Sequence, residues 1–168
     1  KYGTDAVRYY LLREILPTED GDFTFEKFEQ RYNSDLAGGV GNLVARVLGI
    51  SSKIEIKKSK PRQEVIQKIE GVKKKYKLSV ENFKFNEALA SVWEIISFCD
   101  KYINEEKLWE TPPVGGQAKK LEVISDLFVA IKEIGILLEP FLPETAEKIK
   151  KAVETGKSEN LFPRLNVS

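Results

Sequence analysis

The stretch Arg31-Tyr32-Asn33-Ser34-Asp35-Leu36-Ala37-Gly38-Gly39-Val40-Gly41-Asn42-Leu43-Val44-Ala45-Arg46-Val47 carries the reading of this chain. Leu36, Val40, Leu43, Val47, Ile50 and Ile54 recur at alternating spacings of three and four. That spacing predicts one apolar stripe on a helix of at least four turns. Gly38, Gly39 and Gly41 sit inside it, and each costs about 1 kcal/mol relative to alanine in a helix interior. Such a cost calls for a return, and a bare backbone that another molecule can approach closely is one.

Asn42 and Arg46 follow the glycines, four residues apart and so nearly stacked on one side of the helix. They fall roughly 60–100° from Leu43, at the border between core and solvent. On the residues alone, a solvated helix edge is the ordinary reading of such a pair.

Outward from this helix the chain reads as further helices. Thr4 with Asp5 opens the first, Val7, Leu11 and Ile15 mark its inner face, and Pro17 ends it. A polar turn around Gly21 leads to a second helix near Thr24, which either stops at Tyr32 or bends into the glycine-marked helix. Pro61 interrupts the pattern among Lys57, Lys58, Lys60 and Arg62, and helical spacing resumes at Val65, Ile69, Val72 and Tyr76. Lys73, Lys74, Lys75 and Lys77 cannot share one face, so most are solvated, with phosphate binding as the alternative. The next helix begins near Asn86 and places Leu89, Val92, Trp93, Ile96, Cys99 and Ile103 inward. Trp109 lies beyond its frayed end, before the Pro112-Pro113 pair. It is either a plug against the bundle, which aromatic burial favours, or an exposed stacking platform. The last long helix spans Gln117 to Leu138, and Pro143 opens a shorter one that Gly156 ends. Phe162 and Leu165 pin the tail. With no strand alternation and no internal repeat, the fold class is all-α, a bundle of five to six helices.

Composition narrows function. The chain has 168 residues, 42% hydrophobic and 32% charged, enough for one globular domain with a sizeable core. No apolar run is long enough to cross a membrane. Lys1 runs straight into a helix pattern with no basic-then-apolar leader, which reads as a chain continuing from something larger upstream. There is no histidine and one cysteine, which removes His-based nucleophile pairs, most metal sites and internal disulfides. Cys99 reads as a small buried hydrophobe in a reducing compartment. No phosphate-binding glycine loop is present. These residues run no reaction alone. With a formal charge of +1, any nucleic-acid contact is local, built from a few placed side chains.

Several motifs, in order, carry a resemblance. Tyr2-Gly3-Thr4-Asp5-Ala6-Val7-Arg8-Tyr9-Tyr10-Leu11-Leu12, Asp20-Gly21-Asp22-Phe23, residues 32–37 with 41–46, Tyr102-Ile103-Asn104-Glu105 with Trp109, residues 137–146, and Leu161-Phe162-Pro163-Arg164 together resemble the C-terminal part of methionyl-tRNA synthetases. The resemblance covers nearly the whole chain. It implies a linker and stem-contact helix over residues 1–22 and an anticodon-binding helical bundle over 23–168. The implied partners are methionine tRNA, through its CAU anticodon loop, and the enzyme's own catalytic domain at the N-terminal side. It implies a cytoplasmic location. ATP with magnesium, and a zinc knuckle, belong to a catalytic part whose motifs are missing here, and no cofactor is expected in this segment.

Carried over by position, Asn42 and Arg46 match the residues that contact the first anticodon base, cytosine, and Trp109 matches the tryptophan on which it stacks. The chemistry suits the residue types. An unstacked loop base is read on its Watson–Crick edge and held on an aromatic face; arginine supplies donors and asparagine both donors and acceptors. Asp5 and Arg8 are candidates for the tRNA stem, with solvated surface as the alternative. One departure stands out: the family commonly has proline before the tryptophan, where this chain has Leu108. Open alternatives are a helical protein-interaction module, or the corresponding domain of a synthetase for valine, leucine, isoleucine or cysteine.

Overall fold

A computed structural model of the chain describes residues 2–15, 21–51, 60–110, 116–157 and 159–166. The expectations for Pro17, Ile54, Lys57, Lys58 and the Pro112-Pro113 pair lie outside these residues. Seven α-helices follow in order: α1 (Thr4–Glu14), α2 (Phe25–Arg31), α3 (Asn42–Ser51), α4 (Gln63–Glu81), α5 (Phe85–Glu105), α6 (Gln117–Leu138) and α7 (Pro143–Thr155). A π-helical segment, Tyr32–Gly41, joins α2 to α3 without a break, so the described residues form six helical rods, as the all-α reading requires.

The π-helical segment answers the question of the boundary at Tyr32: the helix does not stop there but runs on in a wider form. It also gives the glycines a reason the sequence reading missed. A Cβ on Gly38 would lie 2.9 Å from the carbonyl oxygen of Asn33, and one on Gly41 would lie 2.9 Å from that of Leu36, each five residues back. The wide turn brings those carbonyls inward, and only a residue without a side chain fits beside them.

Helix α5 is the axis of the bundle. Its buried residues Leu89, Val92, Ile95, Ile96, Cys99 and Ile103 recur at helical spacing, and α1, α3, α4, α6 and the π-helical segment all pack against it. Each large apolar side chain removed from water contributes roughly 1.5–3 kcal/mol, which outweighs the glycine cost in the helix beside it. Burial pushes the Cys99 thiol up to about 12, so it packs as an apolar group.

Two expectations for α1 are corrected. Thr4 is the first helical residue rather than the cap; Gly3 precedes the helix at φ 82°. The buried face is Ala6, Tyr9 and Tyr10, whereas Val7 and Leu11 are exposed. Tyrosine decides this, because its ring buries a large area once its hydroxyl finds an acceptor. Tyr9 donates to Asp35 Oδ2 at 2.7 Å, and its ring lies 4.7 Å from that of Trp93. Thr24 caps α2 by accepting from the Lys27 backbone N–H at 3.2 Å, as its sequence position predicts.

Candidate nucleic-acid interface

Arg46 projects from α3 toward the C-terminal end of α5. Its Nη1 donates to Asp100 Oδ1 at 3.0 Å and its Nη2 to the Asn104 side-chain oxygen at 3.1 Å. Asp100 and Asn104 lie one turn apart on α5, so they present two acceptors to the planar fork of the guanidinium. Burial raises the Asp100 carboxyl above its ordinary value, and Arg46 opposes that rise. The pairing fixes the direction of Arg46 while sparing the rest of its five N–H donors. Asn42, one turn earlier on α3, is exposed.

Beyond Asn104 the chain leaves α5 through Lys107, at φ 44°. The next two residues then part company. Leu108 is 3% exposed and Trp109 is 57% exposed. The plug expected of the tryptophan is supplied by Leu108, and the tryptophan presents its ring to solvent. Its backbone is held from both sides: Leu108 N–H donates to the Ile103 carbonyl at 3.4 Å, and Glu110 N–H to the Lys107 carbonyl at 2.9 Å. The leucine that departs from the family pattern therefore anchors the turn that displays Trp109.

The C-terminal tail forms the opposite border. Asn33 works on it like a strand edge: its Nδ2 donates to the Leu165 carbonyl at 3.0 Å and its Oδ1 accepts from the Leu165 N–H at 2.8 Å. Phe162 is buried edge-on against Tyr32, with ring centroids 5.8 Å apart. Between this tail and the glycine-marked helix lies a cleft of about 480 Å³, lined by Gly38, Gly41, Asn42, Asn160, Phe162 and Arg164 among others. Asn42 therefore faces a cleft on one side and shares its helix with Arg46 on the other.

Asp5 and Arg8, the candidates for the tRNA stem, both make hydrogen bonds within the molecule. Asp5 is buried, and its Oδ2 accepts from the backbone N–H and the hydroxyl of Thr145, each at 2.7 Å. It caps the start of α7 from another helix, where the dipole favours a carboxylate. Arg8 donates through Nε to the Phe141 carbonyl at 2.7 Å and through Nη2 to the Pro140 carbonyl at 3.1 Å, satisfying carbonyls in the turn after α6. Together they bind α1 to the α6–α7 junction, and Ala6, Tyr9 and Tyr10 of α1 belong to the same core as the other helices. Of the α4 lysines, Lys73 pairs with Glu133 at 2.9 Å, Lys75 with Glu94 at 2.9 Å and Lys77 with Glu81 at 3.8 Å, in keeping with the solvated reading. No group of three or more potential metal ligands occurs among the described residues.

The sequence model of the family described as "Anticodon-binding domain of tRNA ligase" matches residues 62–164, and this chain belongs to that family. The model described as "tRNA synthetases class I (M)" matches residues 1–48, and within the family the chain groups with the methionine enzymes. It is 32% identical over 195 residues to a methionine–tRNA ligase of Clostridium acetobutylicum, covering 99% of this chain and 30% of that protein. To the methionine–tRNA ligase of Lactococcus lactis it is 36% identical over 176 residues, covering 100% of this chain and 26% of that one. The chain thus spans less than a third of these curated relatives. Its fold is that of the free-state methionyl-tRNA synthetase of Mycobacterium tuberculosis, with a TM-score of 0.86 and 23% identity over 99% of this chain and 40% of that one.

Proposed function

We propose that this chain is the anticodon-binding portion of a cytoplasmic methionine–tRNA ligase and that it reads the cytosine of the CAU anticodon with Asn42, Arg46 and Trp109. The carrying observation is the tie from Arg46 to Asp100 and Asn104, which fastens the reading helix α3 to the end of α5 from which the exposed Trp109 emerges. The remainder of the parent enzyme activates methionine with ATP and magnesium, carries the zinc knuckle, and esterifies the tRNA; residues 1–22 lead into it.

The division of labour follows from the chemistry. Stacking on Trp109 contributes affinity of about 1–3 kcal/mol without choosing a base. Choice comes from the edge. Arginine offers donors to the cytosine N3 and O2 acceptors, and the asparagine amide can accept from the N4 amino group. Uracil presents an acceptor in place of that amino group and leaves a desolvated polar group unpaired, at about 1–3 kcal/mol. Because Arg46 is already held by α5, little of its side-chain freedom is lost on binding.

Fluorescence anisotropy of labelled anticodon stem-loops titrated with the full-length protein tests this reading. A preference for the CAU loop over a UAU loop of about tenfold or more, roughly 1.4 kcal/mol, is expected. Equal affinity for the two loops would remove Asn42 and Arg46 from base reading.

A further inference from the structure

The last turns of α5 are gripped on two sides. Asp100 and Asn104 hold Arg46 of α3. Tyr102 and Glu106, each two residues on and so about 200° further round the helix, meet the start of α4 and the N-terminal half of α6. Glu106 is the cap residue of α5 and lies just before the turn that carries Trp109. Its Oε2 pairs with Lys119 Nζ at 2.7 Å and its Oε1 with Arg62 Nη1 at 3.7 Å, so one carboxylate ties the end of α5 to the starts of α4 and α6. Beyond the tryptophan, Lys120 Nζ donates to the Glu110 backbone carbonyl at 3.2 Å. Residues 106–110 are therefore held at both ends by the first turn of α6.

Arg62 is itself held from behind. Its backbone N–H and its Nε donate to the two oxygens of Asp126, each at 2.8 Å, and the Tyr102 hydroxyl donates to Asp126 Oδ2 at 2.7 Å. The guanidinium carbon lies 4.9 Å from the centre of the Tyr102 ring. Asp126 is buried, and these charge-assisted hydrogen bonds offset the loss of its water. Packed apolar side chains would join the three helices at less desolvation cost. What the polar cluster adds is direction, since each hydrogen bond fixes an angle. The turn it directs is the one that buries Leu108 and leaves the Trp109 ring in solvent. A ring in solvent takes its direction from its backbone, and a base stacks on it only at a suitable tilt.

We propose that Glu106, clasped between Lys119 and an Arg62 that Asp126 holds in place, is the positioning residue that sets the angle at which Trp109 meets the stacked base. The inference rests on the anticodon-binding reading above and deepens it. Trp109 touches the base, whereas Glu106, Lys119 and Arg62 act only through it. A turn fixed in advance loses less freedom when the loop binds, so the clasp contributes affinity without choosing a base.

Glu106→Gln is the variant to test, because electrostatics and positioning give it opposite signs. It keeps the shape of the side chain and removes a negative charge, which by itself would strengthen binding to RNA. Loosening the turn weakens binding instead. The measurement is a double-mutant cycle of stem-loop titrations on the full-length protein, with CAU and UAU loops in parallel. Glu106→Gln is expected to lower affinity about fivefold for both loops alike, within what stacking supplies, with the C-over-U ratio kept. In a Trp109→Ala background the same substitution should cause no loss, whereas a merely structural lesion would weaken binding with or without the ring. Lys119→Ala, at an exposed position, should give a smaller loss that also vanishes without Trp109. A Lys119 loss that persists there would mean direct contact with a phosphate and would overturn the part of Lys119 in the clasp. Unchanged or tighter binding in Glu106→Gln, or an equal loss in the Trp109→Ala background, would overturn the proposal. If Trp109→Ala weakens both loops while Glu106→Gln does not, only the clasp fails. If Trp109→Ala leaves both loops unaffected, the stacking reading and the clasp fail together.

Discussion

Arg8 and Arg46 are both helix arginines one turn from a polar residue, and the resemblance pointed both toward tRNA. The structure wires them oppositely. Arg8 donates to the backbone carbonyls of Pro140 and Phe141, groups that have no other use in a helix-ending turn. Arg46 donates to the side chains of Asp100 and Asn104 at a rim beside exposed Asn42. The first arginine closes a seam between α1 and the turn after α6. The second is aimed by its partners and keeps donors to spare. Asp5 and Asn42 repeat the contrast: one is 4% exposed and caps α7, the other stands open at the cleft. Whether a polar side chain is free for a ligand thus depends on what it touches rather than on its residue type or its place in a motif.

The contrast can be broken from either side. On the recognition side, Trp109→Ala should cost about 1–3 kcal/mol of loop binding, equally for CAU and UAU, with the melting temperature unchanged because the ring is exposed. A change in melting without a change in binding would return Trp109 to the role of plug. On the seam side, Asp5→Ala should lower folding stability by about 1–2 kcal/mol, read by chemical denaturation, while the C-over-U ratio holds. A shifted ratio would show that α1 reaches the reading surface.

The smallest effect concerns the outer wall of the bundle. Glu94 on α5 accepts from Lys75 at 2.9 Å and from Lys68 at 3.0 Å, both on α4. The Lys75 hydrogen bond, with help from Lys68 and against a burial effect, holds the Glu94 carboxyl below its ordinary value. A depressed carboxyl stabilises the fold above the unfolded-state value and loses that contribution as the pH falls through the folded-state value. Glu94→Gln should therefore melt slightly lower than the unaltered protein at neutral pH, by about 0.5 kcal/mol after solvent screening. The gap should close as the carboxyl protonates in acid. A gap that persists in acid after the folded-state carboxyl has been protonated would mean that packing rather than charge joins α4 to α5 there.

The helices from α2 onward were legible because their signals are long and local. The span of α6 follows from its apolar spacing, and Thr24, Pro143 and Gly156 mark ends by their own backbone chemistry. Asn42 with Arg46 was legible as a pair through spacing and resemblance. What escaped depends on partners far along the chain. The inward face of α1 was misread because Tyr9 is buried only by virtue of Asp35. The exchange of roles between Leu108 and Trp109 depends on the turn at Lys107, and no periodicity encodes it. The widened helix was written in Gly38 and Gly41, but their clash with carbonyls five residues back appears only in three dimensions.

The account turns on Arg46 as the group that selects the base. The most direct test is the ratio of CAU to UAU stem-loop affinity in full-length Arg46→Ala beside the unaltered protein, at one salt concentration. The account predicts that a ratio of about ten or more falls close to one while the melting temperature moves little. A ratio that survives the substitution would contradict it.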